Sequence, residues 1–487
     1  MAKRPLGLGK AHEKKNKKKK TSNGEDSKHS SKEQTPQNDG QLMIKLNSDM
    51  NELAQLWVNY VKKKIANETQ EEGDQNELVL NGIIHECDRI LRKSHNLKEN
   101  KDSVKDDEES IIVDGQLYAI YGLALAELAY FQSQGEDDDE EEEKEFDEEE
   151  EKKKNSEHAA KISEFFTEAL DRIETGFDKF PKDRITLNWA KIQILANRIP
   201  LQYISSMTLT SNKKKYPDIE KLVDELFSSY QDNMKLASNL SSKNAGDEYN
   251  DYGVFFDYQQ YLVLDTIDDL LDMIENFGMN DDLNEIDSDN EDEIETSNIE
   301  LTKKHPLFVV RDCIPSYEDN LIEKCENFLE HLQALDKSKF KIDIENSCQN
   351  SEYKHNSLVI FYLQINKKLG ELYLRKADGS GKAYTDIVYG DDQDSEPSVP
   401  KKELQKLQKE AIANYKKAIE HIKKIEDPED PQTWVNIAEA EISLGNIYDL
   451  DSKDQETLYQ KAEKRLKKAN KATNGKYDHI LKNLLDG

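Results

Sequence analysis

The densest group of side chains that could ligate a metal ion or act in catalysis is His85-Glu86-Cys87-Asp88. A metal site, or a nucleophile with its base, requires such side chains to converge on one point. The surrounding sequence has a helical period, and consecutive residues of a helix point in different directions. Cys87 falls on the apolar face of that helix, whereas His85 shares a face with Asp88 or Arg89. We therefore expect a structural role for this group, with a metal or catalytic site as the alternative.

Sequence motifs of the common enzyme classes are absent from the chain. It contains no GxxxxGK[ST] phosphate-binding loop, no GxSxG nucleophile turn and no HExxH zinc helix. None of its ten histidines has an acid two residues later, as one half of a non-haem iron site requires. Its four cysteines are far apart, which favours a reducing compartment over a disulfide framework or a zinc site. The sequence thus predicts a protein that is not an enzyme and holds no cofactor.

Acidic side chains outnumber basic ones, with 100 Asp and Glu against 68 Lys and Arg and a net charge of -32. Residues 136–151 carry fourteen acids and one lysine, and residues 281–300 carry ten acids and no base. Such runs act either as solvated loops or as a docking surface for a basic partner, for example a ribosomal protein or a histone tail. Both interpretations stay open at this point.

Ser288 is a candidate phosphorylation site within the second acidic run. It is flanked by Asp287 and Asp289, with Glu291 close by, a context that an acid-directed kinase prefers. Phosphorylation would add roughly 1.5 to 2 negative charges. The hypothesis is that this charge tunes the docking of a basic partner, and unchanged partner affinity of a Ser288→Ala protein would contradict it.

A cluster of lysines near the N-terminus is a candidate nuclear-import signal. It consists of Lys14, Lys15, Lys17, Lys18, Lys19 and Lys20. Residues 1–47 contain few large apolar side chains, so this segment is predicted to be disordered and its cations exposed. A solvated tail with weak affinity for nucleic acids is the alternative. Because no apolar run has the length of a membrane span and no signal-peptide core follows the basic start, we expect a nuclear protein without membrane contact.

A second group of cations forms a stripe on two C-terminal helical segments. Its members are Lys416, Lys417, Lys423, Lys424, Lys464, Arg465, Lys467, Lys468 and Lys471. An amphipathic helix places such residues on its solvent face, and contact with nucleic acid is the alternative. Few aromatic residues are interleaved, and the net charge repels phosphates. Both observations argue against direct nucleic-acid binding.

From Ser48 onward the apolar residues recur at helical spacing, and no comparable stretch alternates with the period of a strand. The prolines fall at predicted helix boundaries, and proline costs roughly 3 kcal/mol inside a helix. We therefore predict an all-α body. The predicted elements include single helices over 252–277 and 317–335 and an exposed loop over 378–400.

Two predicted helical hairpins near the C-terminus carry the same marks, a Leu-Gly pair followed by Tyr on the first helix and an Ala-large-Ala ladder on the second. The residues are Leu369, Gly370, Tyr373, Ala411, Tyr415 and Ala418 in one hairpin, and Trp434, Leu444, Gly445, Tyr448, Ala462, Leu466 and Ala469 in the other. This pattern is typical of tetratricopeptide-like hairpins. Gly122, Phe166 and Ala169 repeat it weakly. Because one hairpin cannot bury its apolar face alone, we predict an α-solenoid capped by residues 477–485.

The composition divides the chain into four predicted parts. A disordered basic tail spans 1–47, and an N-terminal helical repeat region with the acidic insertion 136–151 spans 48–280. An acidic linker spans 281–305, and a C-terminal tetratricopeptide-like helical region spans 306–487.

Several stretches make the chain resemble the fungal enhancer-of-translation-termination proteins, whose relatives include the negative regulator of an oxygen-sensing prolyl hydroxylase. They are MAKRPLGLGK at 1–10, VLNGIIHECDR at 79–89, RIPLQYIS at 198–205, LGELYLRKA at 369–377 and DPQTWVNIAEAEISLGN at 430–446. The resemblance implies an all-helical nuclear protein without catalytic activity. It also implies an iron- and 2-oxoglutarate-dependent prolyl hydroxylase as the partner.

The resemblance favours a non-catalytic nuclear scaffold that binds this hydroxylase, is required for accurate translation termination and takes part in hypoxic gene expression. The alternative is an acidic chaperone or nuclear import adaptor for a basic, ribosomal or histone-like protein. In that case the acidic runs would bind the basic client.

Overall fold

A computed structural model describes residues 48–66, 73–99, 113–134, 148–240, 251–278, 301–334, 344, 355–389 and 400–486. The regular elements in these ranges are all helical, so the all-α prediction is confirmed. The α-helices are α1 (Ser48–Ile65), α2 (Gly73–Glu99), α3 (Gly115–Gln134), α4 (Glu148–Lys179), α5 (Arg184–Arg198), α6 (Ile219–Leu240), α7 (Asp251–Asp257), α8 (Gln260–Glu275), α9 (Phe308–Gln333), α10 (Ser357–Tyr389), α11 (Lys401–Lys424), α12 (Pro431–Ile447), α13 (Lys453–Ala472) and α14 (Asp478–Asp486). A π-helical turn, Ile199–Tyr203, follows α5, and short 3₁₀ turns at Ile204–Ser206 and Lys213–Lys215 precede α6.

Helix α3 lies at the centre of the N-terminal half. Its sequence is apolar on nearly all sides, and its residues from Leu117 to Ala129 are buried against α2, α4 and α5. Gly122 permits the close approach of α4, because a Cβ at this position would lie 3.0 Å from the carbonyl oxygen of Ala169. Gly122, Phe166 and Ala169 repeat the hairpin pattern only weakly in the sequence, but the helices that carry them, α3 and α4, pack against each other in the structure.

One hydrophobic core joins helices that come before and after residues 281–300. Its buried side chains extend from Met50 of α1 to Ala418 of α11. Helix α8 packs against α5 and α9, and α9 in turn packs against α10. The predicted regions 48–280 and 306–487 therefore share a core, and their division into separate units stays a prediction.

The C-terminal helices α10 to α13 form a stack in which each helix packs against the next. A Cβ on Gly370 of α10 would lie 2.8 Å from Ile422 of α11, and one on Gly445 of α12 would lie 2.5 Å from Tyr459 of α13. Both glycines therefore lie where the two helices of a hairpin are in close contact. Stacked hairpins are the predicted solenoid arrangement, whereas their likeness to tetratricopeptide repeats stays a prediction.

The ends of the last hairpin follow from local sequence signals. Asp430 accepts a hydrogen bond from Gln432 N at 2.9 Å and caps α12, and Ser452 Oγ accepts one from Gln455 N at 3.2 Å and caps α13. After α13, Asn474 and Gly475 adopt positive φ angles of 54° and 96°. The chain then turns back, and Tyr477, Ile480 and Leu481 pack against the cluster of apolar side chains between α12 and α13. This C-terminal segment covers the open face of the stack.

Helix α10 is longer than the sequence predicts. Gly379 and Gly381, which we expected in an exposed loop over 378–400, lie inside this helix, which ends at Tyr389. A Cβ on Gly381 would lie 3.2 Å from Ile447 Cδ1 and 3.4 Å from the Tyr415 hydroxyl. Packing against α11 and α12 thus outweighs the low helix propensity of glycine, which costs roughly 1 kcal/mol per residue. The loop prediction is wrong for residues 378–389, and residues 390–399 lie outside the described ranges.

Two further helix boundaries differ from the prediction. Helix α9 begins at Phe308 and contains Pro315, although we expected prolines at boundaries only. Ile314 and Tyr317 on either side of this proline are buried, so packing holds the helix together despite the missing hydrogen bond. The helix predicted over 252–277 is divided into α7 and α8, and between them the buried Gln259 side chain donates to the carbonyl oxygen of Thr186 at 3.2 Å.

The acidic insertion predicted over 136–151 is not entirely a loop. Helix α4 begins at Glu148, so residues 148–151 form its first turn. Residues 136–147 lie outside the described ranges, as do the basic tail 1–47 and the acidic run 281–300.

We predict that Gly445→Ala destabilises the protein and that Gly82→Ala stabilises it. A Cβ on Gly445 meets the ring of Tyr459, whose hydroxyl is held by Asn446 Oδ1 at 2.6 Å. Overpacking costs about 1–3 kcal/mol, more than the roughly 0.5–1 kcal/mol by which alanine is favoured over glycine in a helix. Nothing lies within 4 Å of a Cβ on Gly82, so only the gain remains there. Thermal unfolding should therefore show melting temperatures that move in opposite directions; a parallel change would contradict this account.

Candidate functional site

A cleft of about 560 Å³ lies where α1, α3 and α5 face α8 and α10. Aromatic side chains form part of its wall, and seven charged side chains enter it. The aromatic residues are Trp57, Tyr60, Tyr130, Phe131 and Tyr261, and the charged residues are Lys64, Glu127, Asp265, Asp269, Lys367, Lys368 and Glu371. Four carboxylates thus face three ammonium groups, and the pairing among them decides what the cleft can bind.

The carboxylate of Glu127 is paired within the protein. It accepts hydrogen bonds from Lys64 Nζ at 2.6 Å and from the Tyr60 hydroxyl at 3.2 Å. Burial and the nearby Glu127 carboxylate together raise the pKa of the Tyr60 hydroxyl, which therefore remains a proton donor. This group joins α1 to α3 and leaves Glu127 little capacity for a ligand.

Lys368 of α10 is bound by two carboxylates of α8. Its Nζ lies 2.8 Å from Asp265 and 2.7 Å from Asp268, and it is almost fully buried. Although burial opposes the charge, Asp265 and Asp268 raise the pKa of Lys368, so this side chain stays cationic. Arg375 donates a second charged hydrogen bond to Asp268 and lies 3.7 Å from Glu318 of α9. The network therefore ties α8, α9 and α10 together below the cleft.

Asp269 is the cleft carboxylate whose charge is least compensated. It has no salt-bridge partner in the part of the chain that the structure describes, because Lys64 and Lys368 are bound to other acids. Partial removal of its carboxylate from water, and then the neighbouring Asp265, raise the pKa of Asp269 to about 6. Burial also raises the pKa of Glu371, whose nearest cation is Lys367 at 4.0 Å. At this end of the cleft the effect of burial on the two carboxyl pKa values thus outweighs the attraction of the nearby lysines.

The composition of the cleft suits a cationic guest. A lysine or arginine side chain would neutralise Asp269 and Glu371, and its aliphatic part could lie along the aromatic wall. The described residues hold no group of three His, Cys, Asp or Glu side chains that could ligate a metal ion. The arrangement therefore supports recognition of a charged side chain.

The group His85-Glu86-Cys87-Asp88 does not converge on a site. Cys87 is fully buried in the core, whereas Glu86 pairs with Arg89 at 2.5 Å on the surface. Asp88 accepts a hydrogen bond from the Tyr121 hydroxyl at 2.8 Å and so joins α2 to α3. The structure thus gives these side chains separate contacts, as we expected.

The residues predicted for repeat packing lie inside the C-terminal stack. All thirteen are buried except Tyr448, which is half-buried. They do not meet at the cleft, with the exception that Leu369 and Gly370 are sequence neighbours of the cleft residues Lys368 and Glu371. The import candidates Lys14, Lys15, Lys17, Lys18, Lys19 and Lys20 and the phosphorylation candidate Ser288 lie outside the described residues.

Several members of the C-terminal basic stripe are engaged within the protein. Lys417 donates to the Tyr373 hydroxyl at 2.7 Å, and the ammonium group of Lys468 lies 3.5 Å from the ring centroid of Trp434. The buried Glu441 is approached by Lys423 at 3.0 Å and by Arg465 at 3.5 Å. These contacts link neighbouring helices, which supports the interpretation of the stripe as a structural surface.

The sequence reasoning missed the acids of α8. Asp265, Asp268, Asp269 and Asp272 recur at positions i, i+3, i+4 and i+7, which places them on one face of this helix. That spacing is a signal that could have identified an acidic face. The sequence did not show that Lys368 and Arg375 of a helix one hundred residues away would cover only part of it.

A helix that crosses a bilayer must be both long and apolar. None of the helices among the described residues combines sufficient length with sufficient apolar character to cross a bilayer.

We predict that Asp269→Asn stabilises the protein at pH 7 but not at pH 4. A carboxyl group whose pKa rises from 3.8 in the unfolded chain to about 6 in the folded protein favours folding when protonated. This stabilisation is lost as the pH rises from the unfolded pKa through the folded pKa, because the carboxyl group then ionises in the folded protein. An asparagine side chain does not ionise and therefore avoids this loss. Because Asp269 is exposed at the rim, solvent screening limits the gain to about 1 kcal/mol.

The control is Asp232→Asn on α6, where the exposed carboxylate pairs with Lys235 at 3.0 Å. This change should alter the free energy of unfolding by less than about 0.5 kcal/mol at both pH values. Thermal unfolding of the three proteins at pH 4 and pH 7 measures the difference. A lower melting temperature of the Asp269→Asn protein at pH 7 would show that the Asp269 carboxylate of the unmodified protein stabilises the fold, and would contradict this account.

Known proteins match this chain over its full length. The family model described as nuclear pore complex subunit Nro1 matches residues 1–485. Enhancer of translation termination 1 of Clavispora lusitaniae is 36% identical over 489 residues, which cover 100% of this chain and 99% of the relative. The protein of the same name from Saccharomyces cerevisiae strain YJM789 is 34% identical over 496 residues and 100% of both chains. A solved structure of the S. pombe nuclear import adaptor Nro1 has a TM-score of 0.46 and 14% identity, and covers 89% of this chain and 98% of its own.

The family match extends over nearly the full length, and the two relatives exceed one third identity from end to end. The resemblance found in the sequence is thereby confirmed. This chain belongs to the Nro1 family, which includes the yeast proteins named enhancer of translation termination 1.

Proposed function

We propose that this chain is a non-catalytic nuclear scaffold that binds a partner protein through the cleft between its two halves. The observation that carries the proposal is Asp269, a carboxylate at the cleft rim with a pKa of about 6 and no salt-bridge partner among the described residues. A lysine or arginine side chain of a partner would satisfy this charge. Membership of a family described as a nuclear pore complex subunit supports the nuclear location predicted from the sequence.

The partner that we propose is an iron- and 2-oxoglutarate-dependent prolyl hydroxylase. The resemblance implies this partner, together with effects on stop-codon fidelity and hypoxic gene expression. The name of the yeast relatives, enhancer of translation termination 1, supports the link to termination. In this role the chain contributes shape and charge, and the hydroxylase contributes the chemistry.

A guest cation would bind at the rim of the cleft without displacing the lysine of its floor. A guest cation at Asp269 would also approach Glu371, whose nearest cation is 4.0 Å away. Lys368 would stay in place, because Asp265 and Asp268 hold it at 2.8 Å and 2.7 Å. The floor of the cleft is therefore rigid and its rim is vacant, an arrangement that reduces the entropy lost on binding.

A second candidate function is a chaperone or nuclear import adaptor for a basic protein, ribosomal or histone-like. The excess of carboxylates in the cleft favours it, since a basic client would carry many suitable side chains. In this case the acidic runs outside the described residues would extend the binding surface. The two functions differ in the identity of the partner and in the part of the chain that it needs.

We predict that Asp269→Lys abolishes partner capture. Tagged chains purified from cells at low salt should recover the hydroxylase, as identified by mass spectrometry. Reversal of the charge at Asp269 should reduce the yield by about tenfold or more, because a cationic side chain of the partner would then meet a like charge. Asp232→Lys makes the same charge change on the exposed face of α6 and should leave the yield unchanged. Reproducible absence of a hydroxylase from the unmodified sample would count against this partner.

Deletion of the acidic runs separates the two functions. Removal of residues 136–147 and 281–300 leaves α4 and Leu301 intact. The shortened protein should no longer bind a basic client that docks on these runs. In the unmodified protein, the affinity for such a client should fall steeply as the salt concentration rises. Hydroxylase capture through the cleft should persist. Loss of both partners would mean that the runs, and not the cleft, form the binding site.

A further inference from the structure

Two segments distant in the sequence meet at residues that do not line the cleft. The first is the connection from 207 to 217 between the helical turns after α5 and helix α6, and the second is the stretch 302–305 before α9. Lys213 N donates to the carbonyl oxygen of Lys304 at 2.8 Å. The buried His305 accepts from Leu307 N through Nδ1 at 3.1 Å, so its Nε2–H donates to the carbonyl oxygen of Thr208, also at 3.1 Å. These bonds fix the two segments side by side.

The junction carries five exposed lysines, Lys213, Lys214, Lys215, Lys303 and Lys304, which we call the lysine surface. None of their ammonium groups has a salt-bridge partner among the residues that the structure describes. Some lysines elsewhere are paired with acids, as Lys368 is in the cleft and Lys423 is on α11, whereas others, such as the exposed Lys401 and Lys402, are not paired within the described part of the chain. What distinguishes the lysine surface is that two segments distant in the sequence bring its five cations together, in a chain with a net charge of -32.

The backbone below the lysine surface is held by its own hydrogen bonds. Thr208 and Ser211 exchange two of them, with Thr208 N to Ser211 Oγ at 2.9 Å and Ser211 N to the Thr208 carbonyl oxygen at 2.8 Å. Asn212 Oδ1 accepts from Lys214 N at 3.1 Å and begins the 3₁₀ turn. An anionic ligand would therefore not have to order this loop, and binding would avoid that entropic cost.

We propose that the lysine surface binds an acidic segment of a second protein. In a 3₁₀ turn with three residues per turn, the side chains of Lys213, Lys214 and Lys215 point in directions about 120° apart. They cannot converge on one phosphate, whereas an acidic chain that follows the turn can pair its carboxylates with them one after another. Lysine also acts as a point charge, without the planar fork by which arginine selects phosphate. Leu209, which is 45% exposed next to these residues, adds an apolar contact for a hydrophobic residue within the acidic segment.

A nucleic acid fits the lysine surface less well. Binding of single strands depends on exposed aromatic rings on which bases stack. The aromatic residue of this loop, Tyr216, is half-buried, and its hydroxyl donates to the carbonyl oxygen of Ser206 at 2.9 Å. A long polyanion would also experience the negative charge of the rest of the chain, whereas a short acidic segment experiences mainly charges within the Debye length of about 8 Å.

This inference goes beyond the proposed function, because the lysine surface and the cleft share no residue and attract opposite charges. A scaffold with both sites can hold a cationic partner and an acidic partner at the same time. Failure of one site leaves the other intact, so each can be tested on its own.

The experiment measures fluorescence anisotropy of a labelled glutamate-rich peptide with a central leucine, titrated with the full chain. We expect binding that weakens steeply with salt. The triple variant Lys213→Gln, Lys214→Gln, Lys215→Gln should weaken it about tenfold or more, as the sum of several exposed ion pairs. Leu209→Ser should weaken binding of this peptide but not of a peptide in which serine replaces the leucine.

The matched control is the triple variant Lys401→Gln, Lys402→Gln, Lys406→Gln, which makes the same change of net charge at exposed positions of α11. It should change the affinity by less than about twofold, and unchanged thermal unfolding of both variants excludes misfolding. Three results would overturn the proposal: no measurable binding, equal weakening in the two variants, or tighter binding of a single-stranded RNA of the same charge. Peptide binding that requires removal of residues 281–300 would also overturn it, since the site would then belong to the chain's own acidic run.

Discussion

The buried carboxylate of Asp268 is the interaction on which the arrangement of the two halves depends. It is 6% exposed and binds both Lys368 and Arg375 of α10, while Arg375 continues the contact to Glu318 of α9. Burying such charges is expensive, and their attraction recovers the expense only when the geometry is good. Apolar side chains between the same helices would tolerate a shift along the helix axis, whereas these charges accept only one register. We infer that the ion network contributes specificity of arrangement more than net stability.

In the function that we propose, one helix face serves both the fold and a ligand. Of the four acids on this face of α8, Asp268 and Asp265 are bound to cations, whereas Asp269 is not. The fold tolerates this local cost because the core around α3 and α8 is extensive. A group that is unfavourable for the free protein and favourable in a complex is what a binding site requires, and such groups are common where activity and stability compete.

Sequence reasoning reached the helices but not their three-dimensional use. The period of the apolar residues predicted most of the helices, and Gly370 and Gly445 predicted where the two helices of a hairpin approach each other, because helix geometry and close contact leave direct traces in residue type. Pro315 and Gly381 were misjudged because local propensity is weaker than the packing of a long, buried helix. The cleft was missed because an acidic helix face and a basic helix face look like solvated surfaces when each is considered separately. Only the fold brings Asp268 and Lys368 together and leaves Asp269 without a salt-bridge partner among the described residues. The basic cluster and the acidic runs were visible in the composition, but composition does not identify a partner.

The layered core of the C-terminal stack has a consequence for how the protein opens. The side chains around Trp434, Leu466 and Tyr477 form an apolar cluster of their own, distinct from the one around Tyr415 and Ile437 and from the main core. Each cluster can therefore lose its contacts without dissolving the next, and the terminal layer has a neighbour on one side only. Helices α13 and α14 thus form a cooperative unit that can unfold below the free energy of global unfolding, so amide hydrogen exchange should become slower from the C-terminus toward α10. A repeat array of this kind does not have one stability but a gradient of stabilities along its axis.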